Sequence, residues 1–431
     1  MRHRMRWWLA ACGLLVASCA LAADDEPLPD PLSLTEALAL ARADLPAIEL
    51  AEAQRDASAA ALAEAQSISG VRLDFEGRLR TIKPSDFSPN RNPNDSSARL
   101  ALTKRLYDFG YSDAREQAAQ LADDGSDWRY LDARQEAHLS IMRSFLDVIL
   151  ADLQFARDNE AMAGAYIDAD RARDRHELKR LSDVDLMQLE AEYQVALNNR
   201  MQSQAMQRAA RARLALAMGR PGELVANLIR PDPPDTAAPV ADYETWLNDV
   251  LQHNPGLKAL RADVDAARAE VEAARKTFGP VISGELEAQD YNRETNTTNP
   301  LGATLILEVP LLTGGAKDAA IAKARAALRG SSARLAAAEH ALRQEVLDLW
   351  LGLENLRLRL EGLKVRGDYR ELYLDRSRAL YELEVKADLG DAMTEISALR
   401  LEVARAEFDW MTTRARLEGL AGRLLPEEPM Q

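Results

Sequence analysis

The feature that most constrains this chain is that its sequence occurs twice. Residues 34–46, LTEALALARADLP, are matched by residues 243–255, YETWLNDVLQHNP, and the prolines that these segments share lie 209 positions apart. The glycines that close the later matching pairs, LTKRLYDFG with LILEVPLLTGG and RLALAMG with RLEGLAG, lie 205 and 203 positions apart. Because the matching segments follow one another in the same order in both halves, we infer a tandem duplication with about 200 residues per copy.

The duplication divides the 431-residue chain into two copies, a connector and two ends. We predict an export signal at 1–22, the first copy at 23–219, a proline-rich connector at 220–241, the second copy at 242–422, and a short tail at 423–431. The connector contains five prolines, which is typical of irregular chain between two structural units.

The first residues have the three parts of a secretory signal. Three arginines precede the apolar stretch WWLAACGLLV, and Ala20-Leu21-Ala22 supplies a small-x-small cleavage site. The overlapping sequence Val16-Ala17-Ser18-Cys19 resembles the lipobox of bacterial lipoproteins, which would leave Cys19 lipidated. Cleavage after Ala22 and lipidation of Cys19 both remain open. Both cysteines of the chain lie in this segment, so the sequence predicts no disulfide beyond it.

Each copy shows the same order of patterns: a helix, two strands separated by a polar loop, and two long helices. The predicted strands are 71–82, 97–106, 281–291 and 301–310. The second copy contains apolar residues spaced alternately four and three apart, namely Leu342, Val346, Leu349, Leu353, Leu356, Leu360 and Leu363. This heptad seam indicates coiled-coil packing. It predicts a helix from Gly315 to about residue 362, roughly 70 Å long. The predicted fold is therefore mainly α with a small β part.

The first predicted strand, VRLDFEGRLRTI, alternates charged and apolar residues. The charged positions are Arg72, Asp74, Glu76, Arg78 and Arg80. A half-buried strand of a soluble protein fits this pattern, and so does a strand of an outer-membrane barrel, whose lumen is wet. Beyond the export signal, no apolar run reaches the roughly 18 residues of a spanning helix. A membrane-spanning form of this chain would therefore be a closed barrel, and four strands would need three chains to close one of twelve.

The repeated segments, in their order, resemble the TolC-type outer-membrane factors over essentially the whole chain. The resemblance rests on LTEALALARADLPAIELAEAQ and its echo at 243, on LYDFG and VPLLTGG between strand and helix, on RSFLDVILAD, and on RLALAMG and RLEGLAG. It implies a homotrimer with a 12-stranded barrel in the outer membrane above a periplasmic tunnel of twelve helices. It also implies that the charged strand residues line the pore: Arg72, Asp74, Glu76, Arg78, Arg80, Glu285 and Glu287.

The same resemblance assigns roles at the periplasmic turns between the long helices, where the family closes its tunnel. It implies gate residues Asp185, Tyr381 and Asp391, and adaptor contacts Lys179 and Glu384. A ring of such carboxylates would bind a closing cation, for which Lys386 is the candidate. The alternative is that these residues are solvated helix charges. A glycine of the family pattern is replaced in both copies, by Lys179 in the first and Glu384 in the second. These replacements leave open which adaptor docks here.

The function predicted from the sequence is the exit duct of a tripartite efflux pump for small molecules or metal ions. The implied partners are a periplasmic adaptor, a proton-driven or ATP-driven inner-membrane pump, and outer-membrane lipid. The alternatives are the duct of a type I protein secretion system and a non-porous periplasmic coiled-coil scaffold. A net charge of −15 disfavours nucleic acid as a partner. The sequence shows no zinc-ligand spacing, nucleotide-binding motif or catalytic motif, so we expect no cofactor and no enzymatic activity.

Overall fold

The structure is a computed structural model that describes residues 28–39, 45–236, 240–294, 298–383 and 389–425. Its elements in chain order are α1 (Leu34–Ala39), α2 (Pro46–Ser67), β1 (Val71–Arg78), β2 (Ser97–Tyr107), α3 (Tyr111–Glu177), α4 (Asp183–Ala217), α5 (Tyr243–His253), α6 (Pro255–Lys276), β3 (Val281–Tyr291), β4 (Leu301–Glu308), α7 (Ala316–Glu382) and α8 (Leu389–Leu420). The predicted export signal with Cys19, and the predicted tip residues Glu384 and Lys386, lie outside the described residues.

The same succession of elements occurs in both halves of the chain, and the helices that flank each strand pair have equal lengths. The helix before each strand pair, α2 or α6, has 22 residues, and the helix after it, α3 or α7, has 67 residues. Each of the two longest helices begins after a glycine in the left-handed region, Gly110 at φ 83° and Gly315 at φ 86°. That conformation is open to glycine without steric cost, which explains why both copies keep a glycine there.

The four strands form one antiparallel sheet in the order β1-β2-β3-β4, so the strand pairs of the two copies are joined through β2 and β3. Two predicted strand ends were placed too far along the chain. β1 ends at Arg78 rather than at residue 82, and beyond it Thr81 forms an isolated bridge to Asn94. β4 ends at Glu308 rather than at residue 310, because Pro310 has no N–H to continue the ladder.

The long helices form a layer in which α4 packs on α3, α3 on α8, and α8 on α7. With 67 residues each, α3 and α7 are about 100 Å long at 1.5 Å per residue. The predicted length of α7 was too short, because apolar burial continues past the heptad seam to Leu374, which is 8% exposed. Within the described ranges, no helix combines the length and the hydropathy that crossing a membrane requires.

The main core lies at the middle of the helical layer. Phe145 and Ile141 of α3 are fully buried against Leu32 and Ile48 from the N-terminal part. Leu32 is held by the connector, because its N–H donates to the carbonyl of Asn227 and its own carbonyl accepts from Ile229. A second cluster buries the seam residues Leu342, Val346 and Leu353 against α5 and α8. The connector therefore packs against the helices as part of the structure.

Candidate functional site

The charged residues of β1 lie on one face of the sheet together with Glu285 and Glu287 of β3. In the strand register, Asp74 is opposite Ala101, which is opposite Glu287, and Arg72 is opposite Thr103, which is opposite Glu285. Because side chains alternate along a strand, Glu76 and Arg78 share this face. The structure thus brings together the predicted pore-lining residues of both copies, apart from Arg80, which lies beyond the end of β1.

Ion pairs cover this face, which we call the ionic face. Arg72 pairs with Asp74 at 2.9 Å and Arg78 pairs with Glu76 at 2.9 Å. Arg99 of β2 contacts both Glu285 and Glu287, with 2.9 Å between its Nε and Glu287 Oε2. The sequence analysis missed Arg99, because its partners are 186 and 188 residues away and only the β2–β3 pairing brings them close.

The opposite face of the sheet is apolar and open. Leu73, Phe75, Leu301 and Leu305 are 61%, 73%, 76% and 71% exposed. Two charged residues are exceptions on this face: Lys104, opposite Val71, and Asp290, opposite Ala98. Side chains of this size normally avoid water, and a continuous exposed apolar surface marks a site of interaction with another apolar surface. One face of the sheet is therefore suited to water and the other to an apolar environment.

The loops at the far end of the sheet are joined by Arg293, which is 13% exposed. Its guanidinium donates to the hydroxyl of Ser88 at 2.5 Å and to the carbonyl of Asn90 at 3.1 Å. It also pairs with Asp95 at 3.5 Å, and Asp95 pairs with Arg80 at 3.6 Å. The predicted pore residue Arg80 therefore belongs to a polar cluster that ties the loop after β1 to the loop after β3.

Asp108 fixes the junction between β2 and α3. Its carboxylate accepts hydrogen bonds from the backbone N–H of Tyr111 and of Ser112, both at 3.0 Å, and from Arg105 at 3.2 Å. Burial alone would raise the pKa of this carboxyl, but the bonds from Ser112 and Arg105 outweigh burial and hold the pKa below its ordinary value. The side chain is 4% exposed and stays charged because these donors surround it.

At the other end of α3, a tight turn leads into α4. Lys179 has a left-handed backbone with φ 55°, at the position where the family pattern has glycine. Its N–H bonds to the carbonyl of His176 at 2.8 Å, and the N–H of Arg180 bonds to the carbonyl of Arg175 at 2.7 Å. These bonds close the C-terminus of α3 in the way that a glycine usually allows.

The predicted gate residue Asp185 takes part in capping α4. Ser182 accepts from the N–H of Asp185 at 3.2 Å, and its hydroxyl donates to the Asp185 carboxylate at 2.7 Å. His176 Nε2 lies 2.6 Å from Asp183 Oδ1, which joins the last turn of α3 to the first turn of α4. The acid expected at the gate is thus held at a helix N-terminus, a favourable place for negative charge.

The other predicted tip residues flank the turn of the second copy. Tyr381 lies in the last turn of α7 and is 57% exposed, and Asp391 lies in the first turn of α8. An arginine–glutamate pair spans each helix pair nearby: Arg173 with Glu190 at 2.9 Å in the first copy, and Arg370 with Glu395 at 2.9 Å in the second. Among the described residues, no group of three or more metal-binding side chains is placed to hold an ion.

Part of the chain is similar to a known protein family, and its whole length is similar to individual proteins. Residues 246–423 match the model of the outer membrane efflux protein family. The alkaline protease secretion protein AprF of Pseudomonas aeruginosa is 24% identical, over 98% of this chain and 89% of its own length. The protein CyaE of Bordetella pertussis is 27% identical, over 90% of this chain and 80% of its own length.

Among solved structures, the outer membrane channel CmeC of Campylobacter jejuni superposes with a TM-score of 0.74. The match covers 98% of this chain and 94% of that one at 13% identity, so it shows a shared fold. Together the comparisons confirm the predicted resemblance to TolC-type outer-membrane factors, the mainly helical fold with a small β part, and the outer-membrane location.

Proposed function

We propose that this chain, whose residues 246–423 form an outer membrane efflux protein domain within a TolC-type fold, is the outer-membrane exit duct of a three-part export machine. The observation that carries the proposal is the four-stranded sheet with one ionic and one exposed apolar face, continued by helices of about 100 Å. The duct catalyses no reaction, and an inner-membrane pump supplies the energy for transport.

Three copies of the chain would complete the duct. β1 and β4 are the edges of the described sheet, so each can pair with the edge strand of another copy to close twelve strands into a barrel. In that barrel the ionic face with Asp74, Glu285 and Glu287 lines the pore, because the lumen is wet, and Leu73 and Phe75 face lipid. The long helices then form the periplasmic tunnel, and the two turns at their ends form the gate and the adaptor contacts.

The main candidate cargo is a small molecule or metal ion, because the matched family is one of efflux proteins. Protein secretion is a second candidate with an observation of its own. AprF, which matches 98% of this chain, is named for the secretion of an alkaline protease. Both cargo classes pass through the same kind of duct, so the choice between them changes the pump and adaptor but leaves the architecture unchanged.

The duct is tested by the conductance of the purified full-length protein in planar bilayers. A matched pair of variants on β3 sharpens the test, since Glu287 lies on the ionic face and Asp290 on the opposite face. We expect Glu287→Gln to change the cation-to-anion permeability ratio, because it removes a carboxylate from the pore, and Asp290→Asn to leave the ratio unchanged. A protein without conductance that urea washes off the membrane would instead be the periplasmic scaffold.

The cargo is tested by deleting the gene in its own host. For an efflux duct we expect greater sensitivity to toxic small molecules or metal ions, with the set of secreted proteins unchanged. For a secretion duct we expect one or a few proteins to disappear from the medium, with sensitivity unchanged. Complementation by the wild-type gene and by the Asp290→Asn gene should restore either phenotype.

A further inference from the structure

We propose that Lys104, on the apolar face of the sheet, binds the headgroup of an anionic glycerophospholipid at the periplasmic interface of the membrane. The inference rests on the proposed function, because it takes the apolar face to be the one that meets lipid. It goes beyond that function by naming the headgroup chemistry and the leaflet. It is carried by the position of Lys104, by the lack of a carboxylate beside it, and by the aromatic pair of Tyr107 and Phe109.

Lys104 is a cation near the end of the sheet that continues into the helices. It lies three residues before Tyr107, the last residue of β2, with Val71 of β1 on one side and Gly284 of β3 on the other. The next two rows of this face, farther from the helices, are entirely apolar: Leu73, Leu102, Leu286 and Ala303, then Phe75, Leu100, Ala288 and Leu301. The lysine therefore stands at the helical edge of an apolar band.

The chain itself supplies no counter-ion for this lysine. Its side chain is exposed, and no acid among the residues that the structure describes forms an ion pair with it. Asp290, the other charged residue noted on this face, is opposite Ala98, six residues or about 20 Å along the strand from Lys104. A charge on a lipid-facing surface costs free energy unless it reaches the interface or meets an opposite charge. A lipid phosphate provides both.

Closure of the proposed barrel does not provide a carboxylate either. Since β1 would pair with β4 of the next copy, the apolar face of that β4 would come within two strands of Lys104. The face consists of Leu301, Ala303, Leu305 and Leu307. The acid of β4, Glu308, is opposite Val281 and lies on the ionic face. The counter-ion of Lys104 therefore has to come from outside the sheet.

An aromatic pair beside Lys104 marks the level of the membrane interface. Tyr107 and Phe109 are 56% and 49% exposed, and their rings meet edge to face with 4.7 Å between the centroids. Strict alternation from Arg105 would place Tyr107 on the ionic face, but the ladder shifts between these two residues and brings Tyr107 opposite Ile282, on the apolar face. A tyrosine at a membrane interface keeps its ring in the apolar layer and its hydroxyl among the headgroups.

The surface next to Lys104 can hold the rest of the lipid. Gly284 leaves the row beside the lysine open, because it has no side chain. The next row carries Leu73, Leu102 and Leu286, which help to line an apolar groove of about 540 Å³. An acyl chain can lie along this groove while the phosphate stays with the lysine. The surface thus matches a phosphate joined to a hydrocarbon chain, as in a glycerophospholipid.

The leaflet and the charge of the lipid follow from the same positions. The helix α3 begins at Tyr111, seven residues after Lys104, and it lies in the periplasm in the proposed duct. The lysine is therefore at the periplasmic interface rather than at the outer one. A single lysine attracts a lipid with a net negative charge, whereas a zwitterionic lipid already neutralises its own phosphate. This selects an anionic headgroup.

The test uses the full-length protein purified in detergent and titrated with phosphatidylglycerol or phosphatidylethanolamine, with native mass spectrometry to count the bound lipids. We expect phosphatidylglycerol to bind at least about fivefold more tightly. Lys104→Gln should abolish this preference, and Lys104→Arg should keep it, because arginine retains the charge. The matched control is Lys364→Gln, which removes an exposed lysine of α7 about 70 Å from the start of that helix and should leave the preference unchanged.

Equal affinity of the wild type and Lys104→Gln for phosphatidylglycerol would overturn the inference. So would an equal loss in Lys364→Gln, which would show a general attraction between lysines and anionic lipid. Displacement of the lipid by inorganic phosphate at the same concentration would indicate a site for free phosphate, and tighter binding of lipopolysaccharide would indicate the outer leaflet. Either result would also overturn it.

Conductance in planar bilayers separates this inference from the proposed function. Lys104→Gln should keep the conductance of the wild type, which shows that the variant has folded and that its change in lipid binding is local. Loss of conductance in the wild type would overturn the duct itself. A conducting wild type without lipid preference would overturn only the headgroup site, so the two failures can be told apart.

Discussion

Replacing Asp108 tests how the sheet is joined to the helical layer. Its carboxylate accepts two backbone N–H bonds at 3.0 Å from the first turn of α3 and one bond from Arg105 at 3.2 Å. Loss of a helix cap costs about 0.5–2 kcal/mol, and a hydrogen bond to a charged group about 1.5–3 kcal/mol. Since the Asp108 side chain is only 4% exposed, water can replace few of the hydrogen bonds that the substitution removes. We expect Asp108→Ala to lower the stability of the folded first turn of α3 by about 3 kcal/mol, and Asp108→Asn to lower it by about 1.5 kcal/mol.

The assay is hydrogen exchange of the full-length protein, read on the peptides that contain Tyr111 and Ser112. A cost of about 3 kcal/mol should speed exchange of these amides about 100-fold. The matched control is Asp113→Ala, which removes an exposed acid from the first turn of the same helix and should change exchange by less than about threefold. Equal exchange in Asp108→Ala and the wild type would refute the conclusion that the Asp108 carboxylate holds the first turn of α3.

The same residue predicts a dependence on pH. Because the folded pKa of Asp108 lies below the unfolded value, its contribution to stability is complete above the unfolded pKa of about 3.9 and is lost as the pH falls through the folded pKa. The stability difference between the wild type and Asp108→Asn should therefore be constant from about pH 7 to pH 5 and shrink below about pH 4. A difference that grows on acidification would contradict the sign of the pKa shift.

Three further changes test other parts of the structure. Lys179→Gly should stabilise the turn between α3 and α4 by about 1 kcal/mol, because glycine adopts φ 55° without steric cost, and slower hydrogen exchange of the turn would show it. Phe145→Ala should destabilise the protein by about 3–5 kcal/mol, since the ring is fully buried, and chemical denaturation measures this; a loss below about 1 kcal/mol would contradict its place in the core. Arg293→Ala should release the loops after β1 and β3 from each other, and protease added to whole cells should cut them faster than in the wild type, with Arg91→Ala, an exposed arginine of the same loops, as the control.

Sequence patterns predicted a helix or a strand well where the residues that determine it lie within a few positions of one another. The alternation in β1 placed Asp74 and Glu76 on one face, and the structure has them there. The end of β1 was placed too late because residues 79–82 continue the alternation without a partner strand, apart from one bridge at Thr81. The heptad seam located α7 but not its end, because burial at Leu374 depends on packing against α8.

The side chains that hold the candidate site together were beyond the reach of sequence patterns. Arg99 bonds to partners 186 and 188 positions away, and Arg293 to partners 203 and 205 positions away, which only the pairing of the two copies brings close. Asp108 lies between β2 and α3, and the sequence predicted both. Its role depends on bonds to residues of both elements, which the sequence pattern did not show. The replacement of the expected glycine by Lys179 was visible in the sequence, whereas the left-handed backbone that it keeps was not.

The duplication has a consequence for the symmetry of any complex built on this chain. In the proposed ring of three chains, each chain would contribute two helix-pair ends, and duplication alone would make the six positions equivalent. The two turns differ in sequence, however, and Lys179 in the first stands where Glu384 stands in the second. The periplasmic end of the proposed ring would therefore have threefold rather than sixfold rotational symmetry. A partner that assembles as six identical subunits would meet two kinds of surface in turn, so its neighbouring subunits would bind with unequal strength.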